Sequence, residues 1–165
     1  MKKIILITIL ISVLLFAGCS EKSRFGPYGS THIHADFKAY IIGKPLNFGL
    51  PRYQVMDDLT HVENNGGDVI HVHATGITLR YFFKSLGFEL TGECLTLDTG
   101  NRYCSLGESK LKVYLKNQDS DWELLQEPSG YIIKDLDKIL VTYGPESEEE
   151  IKKQQESVTD KAKGA

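Results

Sequence analysis

The residues best suited to chemistry are five histidines that lie close together in the chain. They occupy positions 32, 34, 61, 71 and 73, and no histidine follows His73. Four of them form two His-x-His pairs. Residues two apart on a β-strand point to the same side of the sheet, about 6–7 Å apart, so the imidazoles of a pair can converge on one ion. Imidazole nitrogen suits Zn²⁺, Cu²⁺ and Ni²⁺, and the intrinsic affinity order favours copper.

Two carboxylates accompany the histidines at the same two-residue spacing. Asp36 follows the first pair, and Glu63 follows His61. If the four paired histidines form a filled site, completed by Asp36 or His61, the protein captures or buffers a metal ion outside the membrane. If three histidines hold Zn²⁺ and a water completes the shell, Glu63 or Asp36 is placed to act as general base in hydrolysis. The candidate metal ligands are His32, His34, His61, His71, His73, Asp36 and Glu63.

Catalysis is left open, and the residues favour binding, because the chain has no His-Glu-x-x-His signature of a zinc protease. Two further interpretations of the histidines remain. One is an unliganded or pH-sensing cluster, since imidazole titrates near neutral pH. The other is a set of incidental surface histidines on a protein-interaction module, whose partner the sequence does not identify.

Two predicted strands carry the paired histidines. Residues 32–40 alternate, with apolar side chains at every second position from Ile33 to Ala39 and both histidines on the opposite side. Residues 68–74 alternate in the same way, with apolar positions from Ile70 to Ala74 facing inward and the second His-x-His pair facing outward. If these strands are neighbours, their imidazoles form a four-membered patch.

The remaining pattern indicates an α+β domain. Thr78 is a plausible N-cap for a short helix over residues 79–86, which Gly87 would end. Further strands are predicted near residues 45–48, 52–55, 111–115, 122–125 and 131–143. The order resembles a β-grasp domain: an opening hairpin, a helix, and a last strand preceded by the acidic turn in Lys134-Asp-Leu-Asp-Lys138. The predicted fold is therefore a β-grasp-like mixed sheet with one short helix and a disulfide-linked hairpin.

Cys94 and Cys104 are expected to form a structural disulfide. Between them the residues alternate and then reach a Thr-Gly-Asn turn signal at 99–101, as in a hairpin. Closing this short loop contributes about 2–3 kcal/mol in the chain-entropy estimate. The pair lacks the Cys-x-x-Cys spacing of redox-active dithiols. Cu⁺ prefers thiolate and thioether ligands. Because these cysteines are expected to be oxidised and Met56 is the one methionine that remains after signal-peptide removal, a Cu⁺-selective site is not expected.

The N-terminus predicts export and lipid attachment. Two lysines precede an apolar run from Ile4 to Ala17, which is too short for a comfortable membrane span and is typical of a signal peptide. The sequence Leu15-Phe-Ala-Gly-Cys19 resembles a lipobox, in which the cysteine is acylated and becomes the mature N-terminus. Ordinary signal cleavage near Ala17 is the alternative. We therefore expect an extracytoplasmic lipoprotein, anchored to the cell membrane through palmitate or a related lipid on Cys19.

Four segments follow from composition. Residues 1–18 are a lipoprotein-type signal peptide, 19–31 a flexible tether, 32–144 a globular domain, and 145–165 a charged tail that is better interpreted as a frayed polar segment than as a solvated helix. The formal net charge of −3 argues against nucleic acid as a partner. The chain also has no phosphate-binding glycine loop, dinucleotide fingerprint or nucleophile elbow, which excludes the commonest classes of soluble enzyme.

Four stretches together resemble an uncharacterised extracytoplasmic domain of archaeal proteins, a domain sometimes labelled protein-disulfide isomerase. They are His32-Ile-His-Ala-Asp-Phe-Lys38, His61-Val-Glu63, Gly67-Asp-Val-Ile-His-Val-His-Ala-Thr-Gly76 and Tyr131 to Gly144. The resemblance implies a surface-exposed archaeal domain with a His-rich site. Because the chain has no Cys-x-x-Cys pair, its own residues do not support isomerase activity.

Overall fold

The computed structural model describes residues 25–165, which form a mixed β-sheet, a small second sheet and two α-helices. The helices are α1 (Leu79–Ser85) and α2 (Glu148–Glu156), and short 3₁₀ turns occupy Pro51–Tyr53, Pro128–Gly130 and Lys161–Gly164. The strands are β1 (Ile33–Ile41), β2 (Lys44–Pro45), β3 (Thr60–His61), β4 (Val69–Val72), β5 (Glu89–Leu90), β6 (Cys94–Thr96), β7 (Arg102–Cys104), β8 (Lys110–Lys116), β9 (Glu123–Leu124) and β10 (Lys138–Gly144). The predicted α+β class is confirmed.

The main sheet has the order β3-β4-β1-β10-β8-β9, and β2 pairs with the far end of β1. Strands β1 and β10 are parallel at its centre, while β4 and β8 run antiparallel to them on either side. The first and last long strands thus lie side by side, as in a β-grasp arrangement. This order places β4 next to β1, so both His-x-His pairs come to the same part of the sheet.

One face of the sheet packs against α1 and forms the main core. Phe37 of β1 contacts the rings of Phe48 and Phe82, each with ring centroids 5.0 Å away. The Thr78 hydroxyl accepts a hydrogen bond from the Tyr81 amide, and Gly87 takes a φ of 84° just after the helix. The predicted helix is confirmed with the cap and terminating glycine that the sequence indicated.

The small sheet is separate from the histidine-bearing strands and has the order β5-β6-β7. Cys94 and Cys104 pair directly across β6 and β7, and their sulfur atoms lie at disulfide distance. The predicted disulfide-linked hairpin is therefore present. A predicted strand over residues 52–55 is wrong, because Pro51–Tyr53 forms a 3₁₀ turn that proline at its first position favours.

The opposite face of the sheet, called here the outer face, is covered in part by the C-terminal segment. Helix α2 begins with a capping box between Ser147 and Glu150 and buries Ile151. Ile151 and Val158 pack with Leu140 of β10 into a second, smaller apolar cluster. The segment is therefore folded against the sheet rather than frayed. The sequence pattern did not predict this packing, because only a few side chains on one side of the segment are apolar.

Residues 1–24 lie outside the described part of the chain, and with them the predicted signal peptide, Cys19 and the first half of the tether. Within the tether, Gly26 donates a backbone hydrogen bond to Thr75, and Gly29 donates one to the carbonyl of His73. Among the described residues, no helix combines the length and apolar character needed to span a bilayer.

Candidate metal centre

Three histidines are aligned across three neighbouring strands. His34 of β1 is paired with His71 of β4, and His71 is paired with His61 of β3. Directly opposite residues on antiparallel strands have Cβ atoms about 4.5–5.5 Å apart, on the same face. Because the inward positions of β1 and β4 are apolar and buried, this row of imidazoles lies on the outer face.

A second row lies just beyond the ends of β1 and β4, where His32 precedes β1 and His73 follows β4. The ring of His32 is 4.8 Å from that of His34 and 4.9 Å from that of His73. His73 is in turn 5.0 Å from His61, which stacks 5.7 Å from His71. A spacing of 4.6 Å between His34 and His71 closes the circuit. The five imidazoles form one closed ring of contacts, called here the histidine cluster, and the four-imidazole patch expected from sequence includes His61 as well.

Within the cluster, His32, His34 and His71 each offer a ring nitrogen, and these three atoms lie within 4.8 Å of one another. Three imidazoles this close can hold a transition-metal ion after a small contraction, since Zn²⁺ binds imidazole nitrogen at about 2.0–2.1 Å. His32 is exposed and His71 is buried. The three-histidine site is therefore open to solvent on the His32 side.

Burial favours the neutral form of three imidazoles of the cluster, His34, His71 and His73, and the neutral form is the one that binds metal. The pKa of His71 is lowered to about 4, mainly by desolvation, although the Glu63 carboxylate acts in the opposite direction. Desolvation likewise lowers the pKa of His34, with His32 adding to the effect, and it lowers the pKa of His73. Near neutral pH these three rings carry free lone pairs, so no proton needs to be displaced before an ion binds.

The backbone around His34 is fixed by the turn that precedes β10. The His34 amide donates to the Asp135 carboxylate over 3.1 Å, and the Leu136 amide donates to the His34 carbonyl over 2.8 Å. On the other side, the His73 amide donates to the Leu59 carbonyl over 2.8 Å. Both ends of the cluster are held by main-chain contacts from segments outside their own strands.

His61 is oriented through its other ring nitrogen. Its Nδ1 lies 2.8 Å from the Asp57 carbonyl, and because a carbonyl can only accept, Nδ1 carries the proton. Nε2 then points toward Glu63, 3.4 Å from Oε2. The Asp57 side chain is itself fixed by the Leu59 amide at 2.8 Å and the Tyr81 hydroxyl at 2.9 Å. A histidine held in this manner by a backbone carbonyl is the usual outer-shell arrangement of a metal ligand.

Glu63 lies between two of the histidines. Its Oε2 faces His61, and its Oε1 is 4.0 Å from Nε2 of His71. The Asn64 amide also donates to Oε1 over 3.0 Å. The predicted third pair, His61 with Glu63, therefore belongs to the same cluster as the two His-x-His pairs.

Asp36 is not available as a ligand, contrary to the expectation from its spacing. It is buried on the outer face, and its carboxylate accepts hydrogen bonds from the Thr159 hydroxyl and from the amides of Lys161 and Ala162. The carboxylate binds the C-terminal segment instead of pointing into the histidine cluster. The sequence could not indicate this, because the donors are more than 120 residues away.

Sequence reasoning missed two residues that position the cluster, Asp57 and Asp135. An Asp two residues before an amide it can bind is a local turn signal, and the run Asp57-Asp58-Leu59 offered it. The contact between Asp135 and His34 joins distant parts of the chain and has no local signal.

Comparison with protein-family models, with curated proteins and with solved structures finds no match to this chain. The archaeal resemblance thus stays a prediction from motifs.

Proposed function

We propose that this protein is a lipid-anchored, extracytoplasmic domain that binds a transition metal, Zn²⁺ or Cu²⁺, through His32, His34 and His71. The observation that carries the proposal is the mutual approach of their three ring nitrogens to within 4.8 Å. His34 and His71 lie directly opposite each other on paired strands, and burial lowers the pKa of both, so these two form a preorganised part of the ligand set rather than a scatter of surface histidines.

The location rests on the sequence alone. The apolar run from Ile4 to Ala17 and the lipobox-like sequence ending at Cys19 support export and lipid attachment. A short tether then leads to a folded domain whose metal centre is open on the His32 side. The protein would capture or buffer metal at the outer surface of the membrane, and an archaeal source fits the motifs named above.

A zinc-dependent hydrolase is the second candidate, and the position of Glu63 favours it. A carboxylate 4.0 Å from Nε2 of His71 lies close enough to accept a proton from a water bound to the ion. The solvent-exposed side next to His32 leaves room for that water. Turnover of ester or phosphoester substrates by the zinc-loaded protein, abolished in Glu63→Gln, would distinguish catalysis from simple binding.

The test of metal binding uses the chain from Ser20 onward, which retains every described residue, without a histidine tag and with the disulfide formed. Zn²⁺ and Cu²⁺ are titrated into wild type, His34→Ala and His71→Ala, and into Lys44→Ala as an exposed control. We expect tight binding that falls in both histidine variants by more than the roughly 10–100-fold typical of losing an outer-shell partner. Lys44→Ala should bind as wild type does. Equal binding by all four proteins, or none by wild type, would contradict the proposal.

A further inference from the structure

The side of the histidine cluster formed by β3 has its own pair of potential ligand atoms. Nε2 of His61 and Oε2 of Glu63 face each other over 3.4 Å. Nδ1 of His61 is bonded to the Asp57 carbonyl, so Nε2 is the ring nitrogen that faces the carboxylate. A metal ion placed between these two atoms would be bound by both.

The separation of these two atoms matches two ligands on one ion. Ligands of a tetrahedral ion with bonds of about 2.1 Å lie about 3.4 Å apart along each edge. The imidazole of His61 is nine-tenths buried, so it cannot turn to water without disturbing the packing around it. Its Asp57 partner is held in turn by Tyr81 and the Leu59 amide. The orientation of the His61 ring toward Glu63 is therefore fixed by the surrounding structure.

We infer that the histidine cluster holds two divalent cations, and that the second is bound by Nε2 of His61 and the Glu63 carboxylate. His73, whose ring is 5.0 Å from that of His61, is the remaining histidine of the cluster beside this pair. The inference rests on the proposed function, because His32, His34 and His71 hold the first ion. It adds a second position with a mixed nitrogen and oxygen ligand set.

The geometry also makes Glu63 the link between the two ions. One carboxylate oxygen faces His61 in the second site, and the other lies 4.0 Å from His71 of the first. A carboxylate shared in this manner holds two ions at the spacing of about 3.5–4 Å found in two-metal centres. Such centres take substrates with a scissile phosphoester bond, whose attacking and leaving oxygens they hold together.

The number of ions per chain tests the inference directly. The chain from Ser20 onward is loaded with Zn²⁺ and weighed by native mass spectrometry as wild type, Glu63→Gln and His61→Gln, with Glu127→Gln as the matched control at an exposed position. We expect two ions in wild type and in Glu127→Gln, and one in each of the other two variants. Glu63 lies near the surface, so its substitution keeps the fold, which a thermal melt verifies.

The outcomes separate this inference from the proposed function. One ion in wild type that is lost in His71→Ala would overturn the second position while metal binding by the first site stands. Two ions retained in both Glu63→Gln and His61→Gln would place the second ion elsewhere and also overturn the inference. No ion in wild type would overturn both.

Discussion

The outer face along strand β1 has two parts that are used differently. From Asp36 onward, Asp36 and Tyr40 are covered by the C-terminal segment: Asp36 accepts from Thr159, Lys161 and Ala162, and the Tyr40 hydroxyl bonds to Ser157 over 2.8 Å. Before Asp36, the rings of His34 and of His32, which directly precedes the strand, contact other imidazoles of the cluster.

The difference shows what decides whether a polar side chain on a strand is structural or free for chemistry. Asp36 and His34 are two residues apart and point to the same side, so spacing alone treats them alike. Asp36 has a structural role, because a buried carboxylate needs hydrogen-bond donors and the backbone of the C-terminal segment supplies them. The His34 ring packs against the other imidazoles of the cluster instead, so the two parts of this face should respond differently to substitution.

The largest expected effect is on folding, from Asp36→Ala. The substitution leaves the buried amide of Ala162 and the part-buried amide of Lys161 without an acceptor, and each such loss costs about 1–3 kcal/mol. We expect the free energy of unfolding, measured by urea denaturation, to fall by about 3 kcal/mol. Metal affinity should not change, because Asp36 is not a ligand.

The control is Asp160→Ala in the same C-terminal segment. Asp160 is exposed and makes surface ion pairs with Lys138 and Lys163, which contribute little in water. If Asp36→Ala weakens metal binding while stability is retained, the contrast between the two parts of this face is wrong and Asp36 belongs to the metal centre.

An intermediate effect is expected from pH on the metal-free protein. The pKa of His71 is lowered to about 4 in the folded chain, while histidine in an unfolded chain titrates near 6.5. Between these values the unfolded chain binds more protons, so stability is complete above pH 6.5 and declines as pH falls toward 4. Burial lowers the pKa of His34 and His73 as well, so both act in the same direction.

The pH effect is measured as the urea midpoint at pH 7.5 and pH 5 in the presence of a chelator. His71→Gln keeps a polar side chain of similar reach and removes the titration of this residue. Its midpoint should decline less than that of wild type over the same range. An identical decline in both proteins would show that His71 is not held neutral by burial.

The smallest effect is expected from Tyr81→Phe, which acts on the cluster from α1. The Tyr81 hydroxyl donates to Asp57, whose carbonyl orients His61. Losing this hydrogen bond should cost about 1 kcal/mol of stability. Within the histidine cluster, the substitution should weaken metal binding at His61 more than metal binding at the three-histidine site. Tyr143→Phe, near the end of β10 that pairs with Ile41, is the control, and equal losses of metal affinity in the two variants would show that Asp57 does not position His61.

The elements that carry the histidines were predictable because their signals are local. The alternation of residues 32–40 and 68–74 identified β1 and β4, and Thr78 and Gly87 bounded α1. The α+β class and the disulfide-linked hairpin follow from similar local patterns. These features depend on side-chain period, capping and turn residues, which act over a few positions.

The relations between distant segments were not predictable from the same signals. The metal site requires β1 and β4 to be neighbours, and only the order of strands in the sheet shows that they are. The role of Asp36 depends on residues 159–162, in a segment whose composition indicated a frayed tail. A second helix, α2, buries only Ile151 and Gln154, too few residues to mark an amphipathic pattern clearly.

The central claim is that His32, His34 and His71 hold one metal ion. X-ray absorption spectroscopy at the zinc edge, on the chain from Ser20 onward loaded with one equivalent of Zn²⁺, measures the ligands directly. The account predicts three imidazole nitrogens at about 2.0–2.1 Å, with at least one of them lost in His71→Ala. A spectrum with oxygen ligands only, or one unchanged in His71→Ala, would contradict it.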